Sequence, residues 1–161
     1  MLLTATLLLL LLAGCRPGEP ERRQLEVHQI SSGSAFQGRK EPLAVIAPSR
    51  RALEEALGGA VPGGLPEGRG APGEREAAYL AVLWGRKPSG GYSVEVASAR
   101  LEDGRLVVRL ELRAPRPGEI VTQALTYPYA VAEITGANPA GKVVVLTDRE
   151  GRRLNWPVRR A

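Results

Sequence analysis

Residues 92–113 read YSVEVASARLEDGRLVVRLELR, and this stretch decides the fold. Apolar and polar residues alternate on both sides of Asp103-Gly104, a dipeptide suited to the positive-φ positions of a tight turn. The apolar side chains that share one face of the second half are Leu106, Val108, Leu110 and Leu112. A period of two with one apolar face predicts a half-buried antiparallel hairpin.

Short apolar runs continue outward from this hairpin in both directions. The predicted strands are 25–30, 43–47, 78–84, 92–97, 106–112, 120–125, 130–134, 142–147 and 153–156. Short strands at such spacing, separated by glycine and proline, are typical of a sandwich or barrel. We therefore expect a mainly β fold, a small antiparallel β-sandwich or barrel with one short helix, divided into residues 25–57 and a β domain at 78–158. The segment 74–81 is also compatible with a helix.

The single predicted helix follows Pro48. Ser49 is a good N-cap, Leu53 and Leu57 recur on one face, and Gly58-Gly59 ends the element. The next stretch, residues 58–74, contains seven glycines and three prolines in 17 positions. A segment of this composition buries too little apolar surface to offset the entropy lost when its backbone becomes ordered. We therefore expect a flexible loop that tolerates shortening.

The first 14 residues are apolar, uncharged and too short to span a bilayer, as in a signal peptide. Leu12-Ala13-Gly14-Cys15 resembles the lipobox of bacterial lipoproteins, which implies cleavage before Cys15 and palmitate-type acylation of its thiol. Residues 15–24, polar and broken by proline, are predicted to be a lipidated tether. This implies export and lipid anchoring in the cell envelope; Arg16 after the cysteine favours the outer membrane, where there is one.

Composition argues against several functions. The chain has 22 basic and 17 acidic residues, but the basic ones are scattered and few aromatic rings could stack on bases, so nucleic acid binding is disfavoured. His28 is the only histidine and Cys15 the only cysteine, which leaves too few ligands for a zinc site. No nucleophile or phosphate-loop motif occurs. We expect no enzyme activity, no metal and no cofactor.

Two stretches stand out chemically: Gly85-Arg-Lys-Pro-Ser-Gly-Gly-Tyr92 and Thr122-Gln-Ala-Leu-Thr-Tyr-Pro-Tyr129. With the Asp-Gly hairpin and the Pro117-Gly118 loop between them, they resemble the C-terminal domain of the PrcB family over residues 78–134. That family is the lipoprotein subunit of a surface protease complex. The resemblance implies a non-catalytic accessory subunit whose partner is a secreted or surface protease.

Two interpretations of these residues remain open. In the structural one, glycines provide tight turns, Pro128 interrupts a ladder and the tyrosines cover an open end of the core. In the functional one, both stretches share one edge and bind a protein partner. The candidate binding residues are Lys87, Pro88, Gly90, Gly91, Tyr92, Gln123, Thr126, Tyr127 and Tyr129.

The loop Lys87-Pro-Ser-Gly-Gly-Tyr92 also resembles the Asn-Pro-Thr-Thr-Gly-Tyr loop of chagasin-type protease inhibitors. Its first position differs, and the Arg-Pro-Trp loop of that family is missing, with Asn155-Trp-Pro157 a poor substitute. An inhibitor is therefore the alternative, and a general envelope-binding or structural lipoprotein is the third. An inhibitory loop should project from the fold, whereas a structural loop should pack on it.

Overall fold

The computed structural model describes residues 22–36, 39–59 and 76–161. The signal peptide, Cys15, most of the tether and most of the glycine-rich loop lie outside these residues. The elements are β1 (Arg22–Gly33), β2 (Leu43–Ala47), α1 (Arg50–Leu57), β3 (Ala77–Leu83), β4 (Ser93–Glu102), β5 (Arg105–Arg113), β6 (Tyr129–Thr135), β7 (Val144–Thr147), β8 (Arg153–Leu154) and β9 (Val158–Arg160). Within the described residues no helix has the length and apolar character needed to cross a bilayer.

The strands form one curled sheet in the order β8-β7-β5-β4-β1-β6-β3-β2-β9. The expected mainly β fold with one short helix is confirmed. The expectation of a purely antiparallel sheet is wrong, because β2 pairs with β9 and β5 pairs with β7 in parallel. The long strand β1 joins the two halves: its first residues pair with β4 and the remainder pairs with β6.

The two outermost strands are neighbours in the chain. Only Asn155, Trp156 and Pro157 separate β8 from β9, so the two sheet edges lie at most about 14 Å apart at this link. Trp156 packs against the interior, and the Pro157 carbonyl accepts a hydrogen bond from the Ala44 N–H at 2.9 Å. The connection therefore keeps the two outer strands of the curled sheet close together.

Strands β2, β3 and β6 are buried on both faces. In β2, Ala44 and Ile46 point into the barrel, whereas Leu43, Val45 and Ala47 face α1. Helix α1 covers this outer face with Leu53 and Leu57. Burial on both faces explains the continuous apolar run of residues 43–47, which does not alternate.

Three sequence expectations need correction. Residues 120–125 form no strand, although Ile120 and Val121 favour one. Residues 22–24, expected in the tether, belong to β1, because they pair with Glu102–Arg100 and the Arg22 guanidinium forms a 2.8 Å ion pair with Glu102. The expected strand at 153–156 is confined to Arg153–Leu154.

Candidate functional site

An aromatic pair with a lysine above it forms at the end of β3. The rings of Trp84 and Tyr92 meet edge to face, with centroids 5.7 Å apart. The Lys87 Nζ lies 4.3 Å from the centroid of the Trp84 ring and 6.0 Å from that of Tyr92. This is cation–π geometry. Desolvation by burial lowers the pKa of Lys87 below its usual value.

The two sequence stretches are joined directly. The backbone of Lys87 exchanges hydrogen bonds with that of Thr126, at 2.8 and 3.1 Å. The Thr126 hydroxyl donates to the Ser89 carbonyl at 2.7 Å, and the Gly90 N–H donates to the Thr122 carbonyl at 2.9 Å. Residues 86–92 and 119–127 therefore form one surface at one end of the barrel, named the rim below.

The glycines permit this close approach. A Cβ on Gly90 would lie 2.4 Å from the Thr122 hydroxyl oxygen. Gly91 has φ of +80°, and a Cβ there would lie 2.7 Å from a Val121 methyl. Only glycine combines that backbone conformation with that contact. Gly90 and Gly91 are therefore needed to hold the two parts of the rim together.

Three of the candidate binding residues are buried or half-buried. Tyr129 is 6% exposed; its ring lies 5.9 Å from Phe36 and its hydroxyl 3.3 Å from the Ser31 hydroxyl. Thr126 is buried, and Tyr127 is half-buried against the core beneath α1. Tyr129 and Thr126 fill space under the rim, which is the position that the structural interpretation gives to such residues.

Other rim residues do face solvent. Pro88 and Gln123 are exposed, as the binding interpretation requires. Ile120 is fully exposed and Leu125 is 58% exposed, and sequence reasoning missed both because it placed them in a strand. Among the described residues only one further large apolar side chain, Val143, is so exposed. The sequence signal that could have identified these exposed residues is an apolar run with no strand to pair with.

No catalytic constellation forms in the part of the chain that the structure describes. His28 is exposed on β1, and no group of three or more His, Cys, Asp or Glu side chains could hold a metal there. Glu95 and Glu111 are opposite each other on β4 and β5 and are exposed. Glu133 lies on β6 beside Tyr79; burial and then the Glu133 charge raise the pKa of Tyr79.

The loop 86–92 does not have the form that an inhibitor requires. Tyr92 packs on Trp84, and the loop backbone is hydrogen bonded to residues 122 and 126. The inhibitor alternative predicts a loop that projects from the fold, whereas this loop packs on it. The geometry therefore favours a surface over a plug.

Comparison with known protein families gives a match, and it covers the part of the chain that contains the rim. Residues 78–135 match the family model described as PrcB C-terminal. No curated protein and no solved structure shows significant similarity to the chain. Both parts of the rim fall inside the matched residues. The part of the chain that resembles the PrcB C-terminal domain thus runs from β3 to β6.

Proposed function

We propose that this chain is a membrane-anchored, non-catalytic subunit that holds or stabilises a secreted protease through its rim. One observation carries the proposal: the residues that match the PrcB C-terminal family are those that build the rim. Domains of this family are of the accessory type and are associated with a protease partner in general. The lipid anchor rests on the lipobox at Cys15, which lies outside the described residues.

The surface chemistry of the rim suits a protein partner. Ile120 and Leu125 expose apolar side chains on one short segment, with the amide of Gln123 between them. Contiguous exposed apolar groups mark interaction sites on soluble domains. Lys87 forms no ion pair with any described residue, so its charge is available for a carboxylate of the partner. Apolar anchors beside a polar group are common at protein interfaces.

The buried tyrosines have a supporting role in this proposal. Tyr127 accepts a hydrogen bond from the Phe36 N–H at 3.2 Å and donates its own N–H to the Ser34 carbonyl at 2.8 Å. Tyr129 closes the core below. Together they fix the position of residues 119–127, so the exposed side chains meet a partner without prior ordering, which lowers the cost of binding.

The test replaces the two apolar anchors with aspartate, Ile120→Asp and Leu125→Asp, in the complete lipoprotein. Truncation of a buried interface anchor costs about 1–3 kcal/mol, so co-purified protease should fall roughly tenfold or more. Thermal unfolding should be unchanged because both side chains are exposed. The matched control is Ala97→Asp, which adds the same charge at an exposed position on β4, outside the rim.

Two results would contradict the proposal. One is a yield of protease with both rim variants that equals the yield with Ala97→Asp and with the wild type. The other is an unchanged level and activity of every envelope protease after deletion of the gene.

A further inference from the structure

The end of the barrel opposite the rim is the end at which the chain enters the fold. β1 begins at Arg22, next to the β4–β5 turn at Asp103-Gly104, and ends at Gly33, which pairs with Tyr129 beneath the rim. Twelve residues of strand span roughly 36 Å. The entry end, which we name the entry pole (Arg22, Arg23, residues 101–105 and 136–143), is therefore far from the rim.

Covalent length keeps this pole near any anchor at Cys15. Seven residue steps separate Cys15 from Arg22, so the first residue of β1 lies at most about 25 Å from the acylated cysteine. That reach is shorter than the length of β1. If the chain is anchored as proposed above, the entry pole is the part of the barrel held closest to the bilayer.

The entry pole carries more basic than acidic side chains: Arg22, Arg23, Arg105 and Lys142 against Glu102 and Asp103. A cavity of about 250 Å³ lies there, lined by Arg23, Leu101, Gly104 and Lys142, with two basic side chains and no acidic one. The Arg23 guanidinium donates to the Gly136 carbonyl at 2.7 Å, and in the described residues neither Arg23 nor Lys142 forms an ion pair.

Of the two carboxylates at this pole, Asp103 lies in the exposed β4–β5 turn, and Glu102 is already engaged in ion pairs. Glu102 accepts ion pairs from Arg22 at 2.8 Å and from Arg100 at 2.9 Å. Arg160 adds a further positive charge, since its guanidinium donates to the Pro139 and Lys142 carbonyls. Val143 beside the cavity is 57% exposed and can contact the apolar boundary of a headgroup layer. Cations flanking an exposed apolar side chain suit an anionic lipid surface.

We propose that the entry pole docks on the headgroups of anionic phospholipids, with a lipid phosphate between Arg23 and Lys142, so that the rim points away from the membrane. This docking proposal rests on the lipid anchor of the proposed function. It does not depend on the protease partner. The chemistry is that of a phosphate diester between an arginine and a lysine. The orientation places the partner surface at most about 36 Å, the extended length of β1, above the pole.

The experiment uses the complete acylated lipoprotein in vesicles of phosphatidylcholine with or without phosphatidylglycerol. Val143→Cys or Gln123→Cys introduces one free thiol for a dye, and a quencher is attached to lipid headgroups. The dye at position 143 should be quenched in phosphatidylglycerol vesicles and the dye at position 123 should not. The difference should shrink in phosphatidylcholine alone and at high salt.

Variants that remove single charges test which end of the molecule docks on the membrane. Arg23→Gln and Lys142→Gln, with thermal unfolding measured alongside, should each lower the ratio of docked to undocked molecules about fivefold. The matched controls Arg86→Gln, in the rim, and Lys40→Gln, beside it, should leave the ratio unchanged. Equal quenching at positions 143 and 123, or equal effects of the two variant pairs, would overturn the proposal.

Two further outcomes test the lipid phosphate and the lipid anchor separately. Inorganic phosphate should reduce quenching no more than sodium chloride of the same ionic strength; a phosphate-specific loss would assign the cavity to a free anion and overturn docking on the bilayer. Release of the protein from all vesicles would overturn the lipid anchor, and with it the orientation. Protease co-purification is a separate measurement and can fail independently.

Discussion

At the scale of single residues, the tyrosines divide between core and rim. Tyr129 is nearly inaccessible, packs on Phe36 and is so close to Gly33 that a Cβ there would approach its ring to 3.0 Å. Tyr92 is half-buried and packs on Trp84. Residue type alone could not separate these positions, because tyrosine is common both in cores and at interfaces.

Tyr129→Ala should lower the free energy of unfolding by about 3–5 kcal/mol, as for other large-to-small aromatic truncations in cores. Tyr129→Phe keeps the ring and loses only the contact with the Ser31 hydroxyl, so it should cost about 0.5–1.5 kcal/mol. Urea unfolding of the two variants measures both values. Equal and small losses would show that the ring is not part of the core.

Gly91→Ala should destabilise the rim more than Gly118→Ala. Both glycines have left-handed φ, +80° and +81°, which costs a non-glycine residue roughly 1–2 kcal/mol. A Cβ on Gly118 meets nothing within 4 Å, whereas one on Gly91 collides with Val121, adding about 1–3 kcal/mol. Thermal unfolding of both variants compares them, and equal melting temperatures would contradict the close packing.

At the scale of elements, the segment 120–125 shows why strand propensity was insufficient. A strand needs a neighbour with a free edge. Of the adjoining strands, β5 is already flanked by β4 and β7, and β6 by β1 and β3. The β-branched residues Ile120 and Val121 therefore lie in a connection across the end of the barrel, where they are available to a partner.

The start of this connection depends on Glu119. Its carboxylate accepts the Arg116 N–H at 2.9 Å and the Arg113 guanidinium at 2.5 Å. These two bonds, the backbone one first, lower the pKa of Glu119. A lowered folded-state pKa means that the stabilisation is present above the unfolded pKa of about 4.3 and is lost as the pH falls through the folded value.

Glu119→Gln should therefore reduce the acid sensitivity of the protein. The melting temperature of the variant should lie below that of the wild type at neutral pH, and the two should converge as the pH falls below about 4. Thermal unfolding across that range is the measurement. A gap between the two proteins that stays constant with pH would mean that the charge on Glu119 is not involved.

Elements governed by local chemistry were predictable. Strand β2 coincides with the apolar run Leu43–Ala47, and α1 begins after Ser49, whose hydroxyl accepts the Ala52 N–H at 3.2 Å. The Asp103-Gly104 turn has the expected positive φ values of 49° and 73°. Each of these features is decided by residues within a few positions of one another.

At the scale of the whole molecule, the parallel pairings and the closure by β8 and β9 were not predictable from local patterns. Alternation identifies strands, and an Asp-Gly turn identifies the partner of a consecutive strand. Nothing in residues 158–160 indicates that they lie beside β2. For the same reason, the contact of the two rim stretches was a hypothesis until the register of β1, β3 and β6 placed them at one end.

The long strand β1 gives the molecule two dissimilar ends. The rim is partly apolar and belongs to residues that match the PrcB C-terminal family, whereas the entry pole is basic and adjoins the proposed anchor. A subunit that presents a protease above a membrane needs this separation, because the partner must reach its surface without displacing the anchor.

Site-specific photo-crosslinking in intact cells tests the central claim most directly. A photoreactive amino acid in place of Gln123 samples the rim, and the same residue in place of Asp103 samples the entry pole, both at exposed positions. We expect a crosslinked product at position 123 that contains a secreted protease, and none at position 103. A rim product without any protease, or the same protease captured equally at both positions, would contradict it.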